Sequence, residues 1–210
     1  MTRPARQLHP FIRVHLRFHP SPPQPSPHRL SSAPMTDPVA HLKSLIRDIP
    51  DFPKKGVMFR DITPLLSDAS GLALSIELLA NPFRGQHIDL VIGAESRGFI
   101  FGTAVACCLS AGFGIVRKPG KLPFRSISKS YALEYGESIL EMHEDAIRPG
   151  QRVLICDDVL ATGGTMKACC DIVKQLGGQI VGVAVLIELV MLGGKSKIAP
   201  IPVHSVLRYE

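Results

Sequence analysis

The chain of 210 residues lacks several features that mark common protein classes. None of its five cysteines forms a Cys-x-x-Cys pair, so metal binding by protein thiolates has little support. Packing of these cysteines in a core, in a reducing compartment such as the cytoplasm, is favoured instead. No apolar run approaches the ~18 residues of a membrane span, and no internal repeat is visible. With 45% apolar residues, the chain is long enough for one well-packed α/β domain.

Residues 1–36 lack acidic side chains altogether. They hold five arginines, whereas the other 19 basic and 18 acidic residues of the chain nearly cancel. Most of the formal net charge of +6 therefore belongs to this segment, and a nucleic-acid-binding core is not supported. Because prolines crowd positions 20–34, we predict a disordered extension over residues 1–36 before a compact domain over residues 37–210.

Two interpretations of this extension stay open. Its Arg/Ser-rich, acid-poor composition is typical of an organelle transit peptide. Alternatively, it is upstream sequence without a structural role, and Met35 starts the compact protein. Uptake by isolated organelles, with cleavage near Met35, would distinguish the two.

A strand, two carboxylates and a small-residue loop follow one another in residues 153–165. The apolar run Val153–Cys156 predicts a strand buried on both faces, as in a parallel sheet. Asp157 and Asp158 come next, and the loop Ala161-Thr162-Gly163-Gly164-Thr165 then opens a helical pattern. The whole is predicted to form a strand, an acidic edge, a glycine loop and a helix start.

This order suits a ribose phosphate. Backbone N–H groups at a helix start have no intrahelical partner, and glycines let an anion approach them closely, so a phosphate fits the loop. Neighbouring carboxylates can accept hydrogen bonds from ribose hydroxyls. The stretch contains neither the Gly-Lys-Ser/Thr of a P-loop nor the G-x-G-x-x-G of a Rossmann turn. It resembles instead the phosphoribosyl diphosphate (PRPP) motif of the type I phosphoribosyltransferases.

Further strand–loop–helix units surround this stretch. Ile88–Gly93 is a second buried strand, and Arg97 lies in the loop that follows it. Phe113–Val116 is a third strand, with Arg117 directly after it, and Gln179–Leu189 is a fourth. Alternating strands and helices predict a parallel sheet, whose ligands lie outside the carboxyl ends of the strands. The two arginines should therefore meet the aspartate pair in one cleft.

Other segments are less regular. The basic residues 117–129 and a hairpin over 130–144 predict a mobile lid that brings positive charge to a pyrophosphate and excludes water. Earlier in the chain, we expect a helix over 39–49, an ordered loop over 51–64 and a second helix over 68–80.

Five motifs in series resemble those of the adenine phosphoribosyltransferases and together span essentially all of residues 37–210. They are DFPKKGVMFRDITP (51–64), ESRGF (95–99), RKPGKLP (117–123), LEYG (133–136) and VLICDDVLATGGT (153–165). The resemblance implies an α/β fold of the type I phosphoribosyltransferase kind. This fold has a central, mostly parallel sheet flanked by helices, with a small hood and a flexible hairpin lid.

The resemblance also implies a reaction. The phosphoribosyl group of PRPP would pass to adenine, giving AMP and pyrophosphate in purine salvage. Mg²⁺ would be bound by the substrate and not directly by the protein. The protein would be a homodimer whose subunits share residues across the interface, with neither nucleic acid nor a membrane as partner.

The resemblance also implies a role for each residue that matches a motif. Asp157 and Asp158 would hold the ribose hydroxyls, and Ala161, Thr162, Gly163, Gly164 and Thr165 the 5′-phosphate. Arg97, Lys121 and Arg117 would bind pyrophosphate. Met58, Phe59 and Arg60 would form the adenine pocket, with Phe59 stacked on the base. Glu134 and Tyr135 would lie in the lid. Glu134, as acid/base partner of the purine, and Arg97 would be catalytic. A non-proline cis peptide is implied near Glu95–Ser96.

Two alternatives to this function stay open. One is a regulatory protein that senses PRPP without turnover; the other is a phosphoribosyltransferase for another purine. The intact lid motif and Arg97 weigh against the sensor. The choice of adenine depends on residues 58–60 alone, and residues 124–130 match no motif and receive no role.

Overall fold

The computed structural model of the protein describes residues 37–132 and 137–210. Its strands are β1 (Arg47–Ile49), β2 (Phe59–Asp61), β3 (Leu90–Ala94), β4 (Gly112–Val116), β5 (Ser126–Ala132), β6 (Glu137–His143), β7 (Arg152–Leu160), β8 (Gln179–Leu189) and β9 (Val203–Tyr209). Its α-helices are α1 (Pro38–Ser44), α2 (Thr63–Ser67), α3 (Ala69–Ala80), α4 (Gly98–Cys108), α5 (Gly164–Gln175) and α6 (Gly194–Lys197). Short 3₁₀ turns occupy Asn81–Phe83 and Val190–Leu192.

Five parallel strands form the central sheet in the order β4-β3-β7-β8-β9. Helix α5 contributes buried apolar side chains to the core on one face of the sheet, and α3 and α4 contribute to the core on the other. Strands covered on both faces are near-continuous apolar runs, which is why the sequence predicted a parallel sheet. The predicted α/β fold class is confirmed.

The helix predicted over 39–49 is wrong in its second half. Helix α1 begins as expected, since Asp37 Oδ1 accepts a hydrogen bond of 3.0 Å from the Val39 N–H, but it ends at Ser44. Strand β1 follows and pairs antiparallel with β2, inside the segment predicted to be a loop. An ion pair between Arg60 and Asp48 supports this pairing across the two strands. We refer to this two-stranded sheet, residues 47–61, as the hood.

The predicted hairpin is present and begins earlier than expected. Strands β5 and β6 pair antiparallel from Ser126 opposite His143 to Ala132 opposite Glu137. Residues 133–136, between these two strands in the sequence, lie outside the described residues.

The C-terminal third of the chain differs from prediction in two places. Strand β7 does not end at Cys156 but continues to Leu160, so the aspartate pair lies within the strand. Strand β9, at one edge of the sheet, was not predicted.

The cysteines divide into two groups. Cys156, Cys169 and Cys170 are buried as predicted, whereas Cys107 and Cys108 at the end of α4 are exposed, so core packing is wrong for that pair. The pattern around them is apolar on every side, and the sequence therefore did not show which face of α4 meets the sheet. Across the part of the chain that the structure describes, every helix is too short or too polar to cross a membrane.

Candidate active site

Three adjoining cavities lie beyond the carboxyl ends of β3, β7 and β8. The apolar cavity, of about 510 Å³, is lined by Pro53, Lys54, Val57, Met58, Phe59, Arg60, Arg97, Val159, Ala161, Thr162, Leu189 and Leu192. The carboxylate cavity, of about 400 Å³, is lined by Glu95, Ser96, Arg97, Asp157, Asp158, Val159, Ala161 and Thr165. The loop cavity, of about 70 Å³, is lined by Asp157 and residues 159–166. Because Val159 and Ala161 line all three, the cavities form one cleft.

The loop cavity is enclosed by the turn between β7 and α5. Gly163 there has a φ of +77°, a left-handed conformation that favours glycine. Helix α5 begins at Gly164 without a side-chain cap, so no side chain at the helix start competes with a ligand for its first N–H groups. These features suit the cavity to a phosphate, and its binding there stays a prediction.

Gly194 supports this loop from a distant part of the chain, and sequence reasoning did not identify it. A Cβ at Gly194 would overlap the carbonyl oxygen of Ala161, and a Cβ at Gly163 would lie 2.6 Å from the Gly194 oxygen. The two backbones can approach this closely only because neither carries a side chain. The pair Gly193-Gly194 was a visible signal, but its partner in space was not.

In the carboxylate cavity, an arginine faces the aspartate pair. Arg97 Nε lies 2.6 Å from Asp158 Oδ2. Asp158 Oδ2 is buried and accepts no aligned hydrogen bond from the described residues, so the contact is an ion pair only. Asp157 Oδ1 accepts a hydrogen bond of 2.9 Å from the Asp158 N–H. Both aspartates are buried, whereas the Arg97 side chain is 44% exposed and accessible to a ligand.

Burial makes this carboxyl pair reluctant to ionise. Burial, followed by the neighbouring charge of Asp158, raises the pKa of Asp157 well above its usual value. Burial also raises the pKa of Asp158, and the Arg97 guanidinium opposes that rise. A ligand that brings hydroxyl donors or a cation would therefore stabilise the ionised pair.

Helix α4 begins directly against the pair. A Cβ at Gly98 would lie 2.8 Å from Asp157 Oδ1 and 3.2 Å from the Cys156 carbonyl oxygen. Glycine at this position lets the turn that carries Arg97 approach β7. The Glu95–Ser96 peptide just before it is cis, as the resemblance implied.

The hood forms one wall of the apolar cavity. Phe59 packs edge-on against Phe52, with ring centroids 5.0 Å apart, and the Arg97 guanidinium carbon lies 5.6 Å from the Phe59 centroid. Arg97 therefore lines both large cavities. Leu189 and Leu192 complete the opposite wall and were not among the predicted residues. An aromatic ring beside aliphatic side chains suits a flat heterocycle.

Two predicted pyrophosphate residues do not line the cleft. Arg117 Nε lies 3.3 Å from Glu95 Oε2, and Arg117 Nη1 donates a hydrogen bond of 3.1 Å to the Lys121 carbonyl. Glu95 Oε2 also accepts a hydrogen bond of 3.0 Å from the Lys118 N–H. This backbone bond, followed by Arg117, lowers the pKa of Glu95. The structure thus brings neither Arg117 nor Lys121 together with Arg97 at the described cavities.

The predicted lid residues Glu134 and Tyr135 lie outside the described residues. The hairpin nonetheless reaches the site, because the Thr165 hydroxyl lies 3.4 Å from the Tyr131 hydroxyl of β5. Strand β5 therefore runs beside the phosphate loop.

A phosphate loop after the central strand of a five-stranded parallel sheet, with a separate hood above it, is the arrangement of the type I phosphoribosyltransferases. The sequence agrees, since residues 65–200 match the family model described as a phosphoribosyl transferase domain.

Relatives with similar sequences show which family within this class the chain belongs to. The chain is 53% identical over 183 residues to an adenine phosphoribosyltransferase of Rhodopirellula baltica, covering 86% of this chain and 89% of that protein. It is 55% identical over 168 residues to the adenine phosphoribosyltransferase of Geobacter metallireducens, and this match covers 80% of this chain and 98% of that protein. The protein belongs to the adenine phosphoribosyltransferase family.

Solved structures agree with this assignment. The crystal structure of adenine phosphoribosyltransferase from Rhodothermus marinus has a TM-score of 0.78 and 52% identity, and the match covers 82% of this chain and 98% of that one. The structure of the Saccharomyces cerevisiae enzyme was solved with an imino-altritol bisphosphate and adenine. It has a TM-score of 0.77 and 36% identity, and the match covers 81% of this chain and 98% of that one.

Proposed function

We propose that this protein transfers the phosphoribosyl group of PRPP to adenine, forming AMP and pyrophosphate. The observation that carries the proposal is the order of the three cavities. A phosphate-sized loop cavity adjoins a carboxylate pair, and Arg97 lines the cavities on both sides where a leaving group and a base would lie. One ribose could therefore face both reaction partners.

At the PRPP end, the loop Ala161–Thr165 would bind the 5′-phosphate through backbone N–H groups and threonine hydroxyls. Asp157 and Asp158 would accept hydrogen bonds from the ribose hydroxyls, which would favour their ionised form. The side chain of Arg97 is exposed enough to reach pyrophosphate oxygens while it remains near Asp158.

The Mg²⁺ ion enters in this proposal with PRPP, as part of the substrate. When bound, it offsets charge on the departing pyrophosphate. Among the described residues, no group of three or more His, Cys, Asp or Glu side chains is arranged to hold a metal ion. Asp157 and Asp158 supply carboxylate oxygens, which are suitable neighbours for a substrate-bound Mg²⁺.

Positioning would be the main contribution of the protein to chemistry. The C1′–O bond to pyrophosphate breaks as C1′ gains oxocarbenium character, and the base nitrogen then attacks from the other side. The ionised Asp157 and Asp158 would favour the developing positive charge. Arg97 would favour the charge on the leaving group, and the fixed loop would hold the ribose between its two partners.

At the base end, Phe59 would stack on adenine, and backbone groups near Met58 and Arg60 would contact its amino edge. Glu134 would accept the proton that leaves the purine ring, and Tyr135 would close over the site as part of the lid. These assignments derive from the matched motif and from the cavity that Phe59, Met58 and Arg60 line.

The active form would be a cytoplasmic homodimer. Exposed apolar side chains on adjacent elements support an interface, with Ile100 on α4 43% exposed and Ile115 on β4 37% exposed. A partner would place Lys121 and Arg117 near the pyrophosphate, where a single chain does not bring them. Sedimentation velocity should give twice the chain mass, and a monomer with full activity would contradict this part.

Pyrophosphate release tests the proposed reaction. With Mg²⁺ and PRPP, release should depend on added adenine, and AMP should form in equal amount. A protein that binds PRPP, as measured by isothermal titration, but never releases pyrophosphate would favour the sensor instead.

A further inference from the structure

The penultimate residue of the chain stacks on a residue of the apolar cavity. The guanidinium carbon of Arg60 lies 4.1 Å from the centroid of the Tyr209 ring. Arg60 lies in β2 of the hood and lines the apolar cavity, whereas Tyr209 lies in β9 at the edge of the central sheet. The contact thus joins the hood to the edge of the central sheet, beside the candidate base site.

The ring provides much of the environment of the Arg60 side chain. Arg60 Nη1 forms an ion pair with Asp48 within the hood. Its Nε is buried and has no hydrogen-bond partner among the described residues. The side chain is only 19% exposed, so water screens the cation weakly and the aromatic face is a major contact.

Tyr209 is also tied to the opposite wall of the same cavity. In the parallel pairing of β8 and β9, Tyr209 is the register partner of Leu189, and Leu189 lines the apolar cavity. Tyr209 does not line the cavity itself, but it is next to two residues that do: its ring contacts Arg60, and its backbone is paired with that of Leu189. Burial raises the pKa of Tyr209, so the ring is neutral across the working pH range.

We propose that Tyr209 is a positioning residue for the base site. Its ring holds Arg60, and with it the neighbouring Met58 and Phe59, at a fixed distance from Leu189. The separation of the two walls decides how tightly a planar purine is enclosed. Loss of the ring would release the hood and weaken base binding, while the phosphate loop and the Asp157–Asp158 pair, which lie on other elements, would keep their geometry. This role rests on the proposed function.

Steady-state kinetics with the full chain tests the proposal. Tyr209→Leu is expected to raise the KM for adenine about three- to tenfold, in line with the loss of one shielded cation–aromatic contact. The KM for PRPP should stay within about twofold, since the ring's cation contacts among the described residues are with Arg60 and Lys43, to which no role in PRPP binding is assigned. Tyr209→Phe should behave as wild type, because it keeps the aromatic face and removes only the hydroxyl.

Two controls separate positioning from general stability. Lys43 also lies over the Tyr209 ring, 5.4 Å from its centroid, but it lies on α1 and lines none of the three cavities. Lys43→Gln should leave both KM values unchanged. In an Arg60→Leu background, Tyr209→Leu should add little, because the two residues act through one contact.

The outcomes divide clearly. A selective rise in the KM for adenine, rescued by phenylalanine, supports the role. An unchanged KM for adenine in a cooperatively folded Tyr209→Leu protein overturns it, as does an equal rise in both KM values. If Tyr209→Leu does not fold, Tyr209→Met, which keeps the side-chain bulk, is judged by the same criteria. If the wild type does not turn over adenine at all, the proposed function fails and this role fails with it. That result differs from a failure of this role alone, in which the wild type is active and Tyr209→Leu has an unchanged KM for adenine.

Discussion

The Nε atom of Arg97 lies 2.6 Å from Oδ2 of the buried Asp158, but the two groups are not aligned for a hydrogen bond. The ion pair connects a half-exposed cation on the β3–α4 turn to a carboxylate inside β7. The guanidinium therefore compensates a buried charge while it remains available to a ligand.

Arg97→Gln should lower kcat/KM for PRPP by about 100-fold, since charged hydrogen bonds to a leaving group are each worth ~1.5–3 kcal/mol. Arg208→Gln is a matched control, because Arg208 Nε lies 3.5 Å from the buried carboxylate of Glu188, outside the described cavities. Pyrophosphate release at varied PRPP gives both values. Similar losses in the two variants would mean that Arg97 acts only through stability.

Asp157→Asn with Asp158→Asn should abolish PRPP binding and at the same time stabilise the protein. The two amides cannot ionise, so the cost of two adjacent buried carboxylates disappears, and the ribose hydroxyls lose their charged acceptors. Isothermal titration with Mg²⁺ and PRPP checks the first effect, and thermal unfolding at neutral pH, with a rise of a few degrees, checks the second. Normal PRPP affinity in the variant would contradict the assigned role.

The stabilisation should depend on pH in a defined direction. Because folding raises both aspartate pKa values, the folded wild type holds more protons than the unfolded chain at pH values above ~3.9. Its free energy of unfolding therefore falls as the pH rises from ~3.9 through the folded-state pKa values. The advantage of the double variant should be small near pH ~4.5 and larger near pH ~7.5 in urea unfolding. A constant advantage would be inconsistent with these pKa shifts.

Gly194→Ala should raise the KM for PRPP about tenfold or more, because the added methyl group would displace the Ala161 carbonyl and the phosphate loop with it. The KM for adenine should change less. Gly85→Ala controls for lost stability, since Gly85 has a φ of +80° and open space around its Cβ position, and it lines none of the cavities. An unchanged KM for PRPP in Gly194→Ala would show that the loop tolerates the shift.

Glu134→Gln should lower kcat by about 10²- to 10⁴-fold with little change in PRPP affinity, if this carboxylate takes the proton from the purine ring. Glu144→Gln is the control, because this exposed glutamate directly after β6 forms an ion pair with Arg125 at 3.8 Å and lines none of the three cavities. Single-turnover formation of AMP gives the rate, and titration gives the affinity. Full turnover by Glu134→Gln would remove the acid/base role.

Local sequence patterns predicted most of the fold. Strand β8 matches the predicted range 179–189, and α3 begins after the Asp68 cap, whose Oδ1 accepts a 2.7 Å hydrogen bond from Gly71 N–H. The second half of the helix predicted over 39–49 was wrong because Ile46 and Ile49 continue the helical spacing, although β1 pairs with residues 59–61. Strand β9 was not predicted. Most of its residues are only partly buried, and it is held in place as a strand by its pairing with β8.

The candidate site, like the fold, was predicted where its residues are neighbours in sequence and missed where they are distant. The phosphate loop and the aspartate pair are contiguous in sequence, so the sequence predicted the succession of strand, carboxylates, loop and helix, although β7 continues through the pair to Leu160. The contacts of Gly194 with Ala161 and of Tyr209 with Arg60 join residues far apart in the chain, and no local pattern indicates them. Arg117 was predicted to face the cleft, but Glu95 at the end of the neighbouring strand pairs with it instead.

The choice of base tests the central claim most directly. Initial rates of pyrophosphate release from PRPP and Mg²⁺ should be compared for adenine, hypoxanthine and guanine with the full chain. We predict that kcat/KM for adenine exceeds that for either oxo-purine by about 10³-fold or more, because a site that reads an amino group by hydrogen bonds rejects an analogue that lacks it. Equal rates, or a preference for hypoxanthine or guanine, would contradict the assignment of adenine as the substrate.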